Sequence, residues 1–292
     1  MPVMEGKALL FKHFANVDAV PVVLDVHQPE EIITAIKAIA PSFGAINLED
    51  IAAPKCFEIE ERLKAELDIP VFHDDQHGTA VVVLAGLINA AKLTRRNLAD
   101  CKFVVIGAGA AGTAIIKLLH LYGARNIMAV DSRGIVGASR TDLNAEKTAL
   151  LEYVDASQSG SIDDAITDAD VFIGVSRAGL LTPALVQKMA EDPIIFALAN
   201  PVPEIMPDVA REAGVAVIAT GRSDFPNQIN NSLAFPGIFR GALDHSVKKI
   251  TDQHKLAAAK ALAALVENPT ADEVIPSPFD ERVPSTVARV IT

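Results

Sequence analysis

The stretch Phe103-Val104-Val105-Ile106-Gly107-Ala108-Gly109-Ala110-Ala111-Gly112 predicts the fold of the larger part of the chain. An apolar strand leads into a G-x-G-x-x-G loop, residues 113–122 continue as a helix, and a second strand ends on Asp131, 19 residues after Gly112. In such a loop the first glycine permits a tight turn, the second lets the backbone approach a pyrophosphate, and the third lets the helix pack on the strand. The setting predicts a dinucleotide site; the alternative is a close-packed turn without a ligand.

Apolar strands and helices continue to alternate after Asp131 as far as Thr220. This alternation predicts an α/β fold with a Rossmann-type, doubly wound parallel sheet. Ser176 and Asn200 follow two of the predicted strands and would face the cofactor, although Asn200 also fits simple Asn-Pro turn chemistry. Beyond Gly221 the pattern predicts an amide-rich loop and two helices, and the residues after Asn268 are predicted to form a surface strap.

A smaller α/β domain is predicted before this sheet, with strands at residues 19–26, 45–48 and 68–72. We place the boundary between the two domains at residues 1–75 and 76–292. Apolar residues at helical spacing predict a buried helix from Thr79 to Leu93, with Thr79 as its cap.

Carboxylates follow two neighbouring strands of this smaller domain: Glu49 and Asp50 after one, Asp74 and Asp75 after the other. Ligands of open α/β sheets bind at the carboxyl ends of strands. Two carboxylates and two imidazoles in the loop at residues 72–78 either hold a metal or cap the following helix and pair with nearby cations. The residues alone leave both alternatives open.

Composition excludes several classes of protein. The formal net charge is −11 and no cluster of Lys or Arg stands out, so nucleic-acid binding is not expected. The apolar runs are too short to span a membrane, and no targeting signal is evident at the start of the sequence. The two cysteines cannot form a disulfide framework, which predicts a cytoplasmic setting.

A lysine, clustered carboxylates and a dinucleotide fold together suit the oxidation of a 2-hydroxy acid. A divalent metal would polarise the C2 oxygen, a lysine with a lowered pKa would accept the hydroxyl proton, and hydride would leave C2. The same metal would stabilise the enolate left by loss of CO2. Lys7, on the first turn of a predicted helix, is the candidate, although a lysine in that position is often only solvated.

Six motifs resemble those of the bacterial malic enzymes and together span nearly the whole chain. They are Pro2-Val3-Met4-Glu5-Gly6-Lys7-Ala8, Asn47-Leu48-Glu49-Asp50, residues 71–80, the glycine loop at 107–112, Ala199-Asn200-Pro201, and Asn230-Asn231 with Phe235-Pro236-Gly237. The resemblance implies oxidative decarboxylation of malate to pyruvate and CO2 with Mg or Mn, and suggests a homodimer.

The resemblance also implies roles for individual residues. Lys7 would be the general base, Asn200 and Asn231 would contact the substrate carboxylate or the nicotinamide ribose, and His73 and His77 would be structural because hard cations prefer oxygen. The metal ligands would be Glu49, Asp50 and Asp75, with Asp74 supporting them. Together with the strand-loop-helix pattern, it predicts these cofactor-binding residues: Gly107, Ala108, Gly109, Ala110, Ala111, Gly112, Asp131, Arg133, Ser176 and Asn200.

One motif of that family is absent from the sequence. Similar enzymes carry an upstream Tyr-Thr-Pro-Gly segment whose tyrosine protonates the enol carbon, whereas Tyr122 and Tyr153 lie in other contexts. We therefore expect either an N-terminally shortened chain or a protein without this proton donor. Two alternatives to malate oxidation follow: a malolactic decarboxylase that releases lactate without net NADH, and a nucleotide-binding module without turnover.

The cofactor prediction rests on Asp131. A carboxylate at this strand end should accept the ribose hydroxyls of NAD and repel the 2′-phosphate of NADP. Arg133 and Arg140 oppose this argument, because a guanidinium can neutralise a phosphate. The sequence therefore favours NAD and leaves NADP possible.

Overall fold

The computed structural model describes every residue from 1 to 292. The first part of the chain contains α1 (Pro2–Ala15), α2 (Pro29–Ile39), β1 (Ile46–Leu48), α3 (Lys55–Glu66), β2 (Val71–His73) and α4 (Asp74–Leu93). The central part contains β3 (Phe103–Ile106), α5 (Ala110–Tyr122), β4 (Ile127–Asp131), β5 (Gly134–Ile135), α6 (Ala145–Leu150), α7 (Ile162–Ile166), β6 (Val171–Gly174), α8 (Pro183–Val186), β7 (Ile194–Ala197), α9 (Pro207–Glu212) and β8 (Val217–Thr220). The last part contains α10 (Phe235–Asp244), α11 (Asp252–Ala264) and α12 (Arg282–Ala288).

Strands β3 to β8 form one six-stranded sheet in the order β5-β4-β3-β6-β7-β8. All neighbouring strands are parallel except β4 and β5, which form a short antiparallel pair at one edge. The chain winds outward from β3 to β4 and then returns to β6, so the winding direction reverses between β3 and β6. The predicted Rossmann-type sheet is thereby confirmed, and its ligand crevice is expected at the carboxyl ends of these two strands.

Helices cover both faces of this sheet. Alternate residues of β3 point to opposite sides: Phe103 and Val105 pack with α4, α5 and α11, whereas Val104 and Ile106 pack with α7, α8 and α9. Every residue of β3 is buried, as expected for a parallel strand with helices on both sides.

The smaller α/β layer contains two strands instead of the three that the sequence predicts. β1 pairs in parallel with β2, and Leu48 lies opposite His73 at the ends of the two strands. The predicted strand at residues 19–26 is wrong, because residues 16–28 lie outside any helix or strand. Val20 is 64% exposed, and no neighbouring strand supplies the hydrogen bonds that β propensity alone cannot provide.

Helix α4 begins five residues before the predicted cap at Thr79. Asp74 and Asp75 therefore lie in its first turn, where carboxylates complement the helix dipole, and not in a preceding loop. Gly78 lies within the helix and makes room for Asp74, since a Cβ there would stand 1.9 Å from the Asp74 Oδ1 atom. From the sequence, Gly78 was expected to end a loop at residues 72–78.

The predicted surface strap after Asn268 is also wrong. Val274 is fully buried, and the following chain forms α12, which packs against α10 and α11. Val287 and Ile291 are fully buried there, and Gly237 and Gly241 allow this close approach. No helix of the structure has the length and apolar character that crossing a membrane requires.

Candidate active site

Three carboxylates converge at the ends of β1 and β2. One oxygen from each of Glu49, Asp50 and Asp75 lies within 4.8 Å of the others. The parallel register of the two strands explains this, because both strands end at the same level and their next residues meet at one edge. Asp50 adopts a left-handed backbone conformation with φ of 56°, and its N–H donates to the Asp75 Oδ2 atom at 2.9 Å. The structure thus brings together the three residues that the sequence predicts as metal ligands.

Lys7 reaches this cluster from α1. Its ammonium group pairs with Asp74, lies 3.2 Å from the Glu49 Oε1 atom, and stands 4.3 Å from the centroid of the Phe235 ring. The helix is held in place by Phe11, whose ring packs edge-on against Phe235. The sequence places Lys7 on the first turn of a helix, where a lysine is usually solvated, but α1 begins at Pro2 and Lys7 lies beyond its first turn. The Lys7 side chain is only 13% exposed, between two carboxylates and an aromatic face.

The charge state of Lys7 differs from the expected one. Burial lowers its pKa, but the charges of Asp74 and Glu49 outweigh burial, and the net pKa lies above the ordinary value. A general base needs a lowered pKa, so the expected lowering of the Lys7 pKa is absent while both carboxylates stabilise its ammonium form.

The carboxyl groups of Glu49 and Asp74 also have raised pKa values, because burial outweighs the attraction of Lys7. Burial raises the pKa of Glu49 to about 7, against the attraction of Lys7, and the charges of Asp74 and Asp75 add to the rise. Burial likewise raises the pKa of Asp74 to about 6. The positive charge of one lysine does not offset the negative charges of several carboxylates buried this close together.

The donor set fits a hard divalent cation. It consists of carboxylate oxygens, and two more buried oxygens at the site, Asn47 Oδ1 and Asp74 Oδ1, have no hydrogen-bond partner. Mg and related cations prefer such oxygen ligands. The site opens onto a cleft of about 730 Å³ lined by Lys7, Glu49, Asp50 and mainly apolar side chains.

Glu60, which was not predicted from the sequence, holds the end of β2, two residues before Asp75. Its buried carboxylate accepts from the His73 backbone N–H at 3.0 Å, contacts Lys64 at 2.6 Å, and lies 2.8 Å from the His77 Nε2 atom. Glu60 thus contacts the His73 backbone and the His77 ring, and the structural roles expected for both histidines stay predictions. One feature of the sequence could have indicated Glu60: it lies on the same face of α3 as the buried residues Cys56, Ile59 and Leu63.

The glycine loop has the geometry expected for a pyrophosphate site. A Cβ on Gly107, whose φ is +111°, would lie 2.6 Å from the Val175 carbonyl oxygen, and a Cβ on Gly112 would lie 1.8 Å from the Gly107 oxygen. A Cβ on Gly109 would meet nothing within 4 Å. The first and third glycines are therefore required by packing within the loop, and the second leaves open space at the start of α5.

Glu204 connects the segments that follow β6 and β7, which contain Ser176 and Asn200. Glu204 was not predicted from the sequence either. It is fully buried and accepts hydrogen bonds from the Ser176 and Ala199 backbone N–H groups, both at 3.0 Å. Burial raises its pKa, and these backbone hydrogen bonds only partly offset the effect. A lone acid between apolar residues, Pro203-Glu204-Ile205, is the only sequence signal.

The two predicted substrate asparagines lie in different places. A Cβ on Gly78 would lie 3.0 Å from the Asn231 Cβ atom and 1.9 Å from Asp74 Oδ1, so Asn231 is beside the carboxylate cluster. Asn200 follows β7 and lies beside Gly221 at the sheet edge. The neighbouring Asn230 caps the turn at Asn231–Leu233 by accepting from the Ser232 N–H at 2.9 Å.

Asp131 ends β4 as predicted, but cations surround its carboxylate. Arg140 Nη1 lies 2.7 Å from one of its oxygens, which also accepts from the Arg133 backbone N–H at 2.8 Å, and Lys147 Nζ lies 2.5 Å from the other. Lys147 was not among the predicted residues. Arg133 directs its guanidinium to Asp142 at 2.8 Å.

The fold and the site define an α/β protein with a Rossmann-type nucleotide-binding sheet and an adjoining carboxylate-rich site. Two family models match the chain: "Malic enzyme, NAD binding domain" over residues 76–282 and "Malic enzyme, N-terminal domain" over residues 1–64. The chain belongs to the malic enzyme family.

Individual relatives are similar over the whole chain. A bifunctional malic/malolactic enzyme of Bacillus subtilis is 57% identical over 295 residues, which cover all of this chain and 72% of the relative. An NAD-dependent malic enzyme of Geobacillus stearothermophilus is also 57% identical, and the match covers 61% of its length. The crystal structure of a malic enzyme from Pyrococcus horikoshii superposes with a TM-score of 0.96 at 49% identity, over 99% of this chain and 70% of that one.

Proposed function

We propose that the protein catalyses the oxidative decarboxylation of malate to pyruvate and CO2, with NAD or NADP as hydride acceptor and Mg or Mn as the metal. The observation that carries this proposal is the convergence of Glu49, Asp50 and Asp75 beside the half-buried Lys7. The malic enzyme relatives support it at the level of the whole chain. The cytoplasmic setting and the homodimer that the sequence suggests remain predictions.

Glu49, Asp50 and Asp75 would hold the metal. A divalent cation bound there would act as a Lewis acid toward the C2 oxygen of malate and toward the enolate that follows loss of CO2. Asp74 pairs with Lys7, and its second oxygen, Oδ1, lies buried against Gly78 without a hydrogen-bond partner.

Lys7 would accept the proton of the C2 hydroxyl. The charges of Asp74 and Glu49 raise its pKa in the structure. A cation held by Glu49 would engage one of the two charges that stabilise the ammonium form of Lys7, and this would favour the neutral amine that a base needs. Phe235 adds an apolar wall beside the amine.

The glycine loop would hold the nucleotide. Gly107 to Gly112 would receive the pyrophosphate in the open space beside Gly109, where no side chain caps the N-terminal N–H groups of α5. Asn231 beside the carboxylates and Asn200 at the sheet edge would orient the substrate carboxylate and the nicotinamide ribose by donating amide hydrogen bonds.

Product analysis tests the proposal. The chain is incubated with malate, Mn and either nucleotide, and pyruvate, lactate and reduced nucleotide are measured together. We expect pyruvate and reduced nucleotide in equal amounts. Lactate without net reduced nucleotide would instead support malolactic decarboxylation, which the name of the Bacillus subtilis relative makes the second candidate. Nucleotide binding without any product would favour the binding-module alternative.

A further inference from the structure

Lys255 places a charged group between packed helices. It lies on α11 where that helix packs against α4, and its side chain is only 7% exposed. A buried ammonium group needs acceptors for its three N–H donors, because burying a charge is costly unless the charge is paired and hydrogen-bonded. The protein supplies one acceptor, the Asp252 Oδ1 atom at 2.8 Å. The Asp252 side chain is itself 74% exposed, so solvent screens its charge.

A small cavity lies beside this lysine, between α4, α5 and α11. Its volume is about 40 Å³. A cavity needs about 10–15 Å³ to hold one water molecule, so this one has room for a single small ion or water. Its polar lining consists of Lys255, Lys117, His77 and Asp252, and the remaining lining residues are aliphatic. The His77 Nε2 atom already faces Glu60 at 2.8 Å. The cavity is therefore a polar compartment whose most buried group is an ammonium.

Positive charge exceeds negative charge around this cavity. Glu60 and Lys64 form an ion pair at 2.6 Å and offset each other. Of the other charged groups, Lys117 and Lys255 face one carboxylate, Asp252, which leaves a formal charge of +1. Burial lowers the pKa of Lys255, the charge of Lys64 lowers it further, and the attraction of Asp252 does not offset both. The groups of the protein alone thus leave the ammonium form of Lys255 incompletely stabilised.

We propose that this cavity binds one chloride ion, with the Lys255 ammonium group as its main ligand and Lys117 as a second positive charge at the rim. A monoatomic anion fits the volume, accepts the N–H donors that the protein leaves without a partner, and balances the excess charge, whereas a water molecule would leave that charge in place. His77 ends the first turn of α4, so bound chloride connects α11 with the turn that carries Asp75. The lining shares no residue with the carboxylate cluster or the glycine loop, so the inference does not depend on the proposed function.

Line broadening in chloride NMR tests the site directly. Chloride is titrated into the full chain without metal or nucleotide, and gluconate keeps the ionic strength constant. We expect saturable broadening with the wild type and at least about tenfold weaker chloride binding with Lys255→Met, because the charged donor is lost. Lys260→Met is the matched control, since Lys260 lies on the same helix, is exposed, and has its ammonium 5.7 Å from the centroid of the Tyr122 ring. It should bind chloride as the wild type does. Equal binding by the wild type and Lys255→Met would overturn the inference and leave the cavity to water.

A second substitution keeps the test independent of the packing of α11, which Lys255→Met also changes. Asp252→Asn removes the exposed carboxylate that competes with chloride for Lys255 and leaves the lysine in place. We expect this variant to bind chloride about two- to fivefold more tightly than the wild type, as the loss of one partly screened charge implies. Replacing gluconate by chloride should also raise the melting temperature of the wild type and of Asp252→Asn, and leave that of Lys255→Met unchanged. Unchanged or weaker binding by Asp252→Asn, or the same rise in all three proteins, would contradict the assignment.

Discussion

Glu49, Asp50 and Asp75 place three acidic groups at one point with only Lys7 nearby to offset them. Burial and the charges of Asp74 and Asp75 raise the pKa of Glu49, which means that the folded protein opposes ionisation of this cluster. Such crowding costs stability in the free protein and is relieved by a bound cation. At the scale of the residue, the site is therefore arranged for binding and not for stability.

The substitution Asp75→Asn separates the effect of the carboxylate on metal binding from its effect on stability. The variant should bind Mn at least about 10- to 100-fold more weakly, because the loss of a charged ligand should cost no less than the loss of a residue that supports one. The free energy of unfolding of the metal-free protein should be unchanged or higher, because a like charge beside Glu49 is removed. Calorimetric metal titration and urea denaturation measure the two quantities.

Asp68→Asn is the control for this substitution, since Asp68 is an exposed aspartate whose nearest cation, Lys248, is 3.6 Å away. It should change neither quantity. An unaltered metal titration in Asp75→Asn would exclude that residue as a ligand.

Glu204→Gln tests the carboxylate that joins two strand ends. A glutamine of the same shape accepts one of the two backbone hydrogen bonds and turns its NH2 toward the other N–H. We expect a loss of about 1–3 kcal/mol in the free energy of unfolding. Nucleotide affinity should fall as well, since Ser176 and Asn200 lose their common anchor. Glu212→Gln, on the exposed end of α9, is the control.

The effect of this substitution should depend on pH. Burial raises the pKa of Glu204 above its ordinary value, so the folded state binds its proton more tightly than the unfolded state. The contribution of Glu204 to stability therefore falls as pH rises above the ordinary glutamate range. Denaturation of both proteins across this range should show that the advantage of the wild type shrinks with rising pH. An advantage that grows with pH would contradict the raised pKa.

Within the glycine loop, two glycines are needed for different reasons. Gly112 is needed for packing, because its Cβ would overlap the Gly107 oxygen, whereas Gly109 faces open space. The sequence assigned these roles from the motif alone, since the spacing of strand, loop and helix leaves little choice of geometry.

The pair Gly109→Ala and Gly112→Ala tests this division. Gly112→Ala should destabilise the protein by about 1–3 kcal/mol through overpacking. Gly109→Ala should change stability by less than about 0.5 kcal/mol yet weaken nucleotide binding by about tenfold, because its methyl group fills the approach to the backbone. Thermal denaturation and nucleotide titration on both variants measure this. Equal effects of the two substitutions on stability would refute the assignment.

The sequence predicted those elements whose structure follows from the pattern of their own residues. It did not predict those whose structure depends on contacts with other parts of the chain. The strands β3, β6 and β7 are short apolar runs buried on both faces, and these were identified. Residues 19–26 are also mostly apolar, but they contain Pro21, which has no backbone N–H to donate, and no strand lies beside them. The start of α4 depends on the space that Gly78 leaves for Asp74. Glu60 and Glu204 could not be assigned, because their backbone partners come from other elements.

At the scale of the molecule, α4 connects the two candidate sites. Its first turn carries Asp74 and Asp75, and its length packs against α5, the helix that begins at the glycine loop. One hydrophobic core runs from Phe11 and Phe72 through Phe196 to Ile291. The carboxylate cluster and the nucleotide loop are therefore parts of one packed body, as a reaction that joins metal, substrate and nucleotide requires.

In the proposed malate oxidation, Lys7 accepts the proton of the C2 hydroxyl. The most direct test is the rate of reduced-nucleotide formation from malate and Mn by Lys7→Ala, with nucleotide affinity measured on the same samples. Lys12→Ala is the control, since Lys12 lies on the same helix and pairs with an exposed aspartate, Asp18. We predict that Lys7→Ala loses about 100-fold to 10,000-fold in rate and keeps its nucleotide affinity, whereas Lys12→Ala keeps both. A Lys7→Ala protein with the full rate of the wild type would contradict the account.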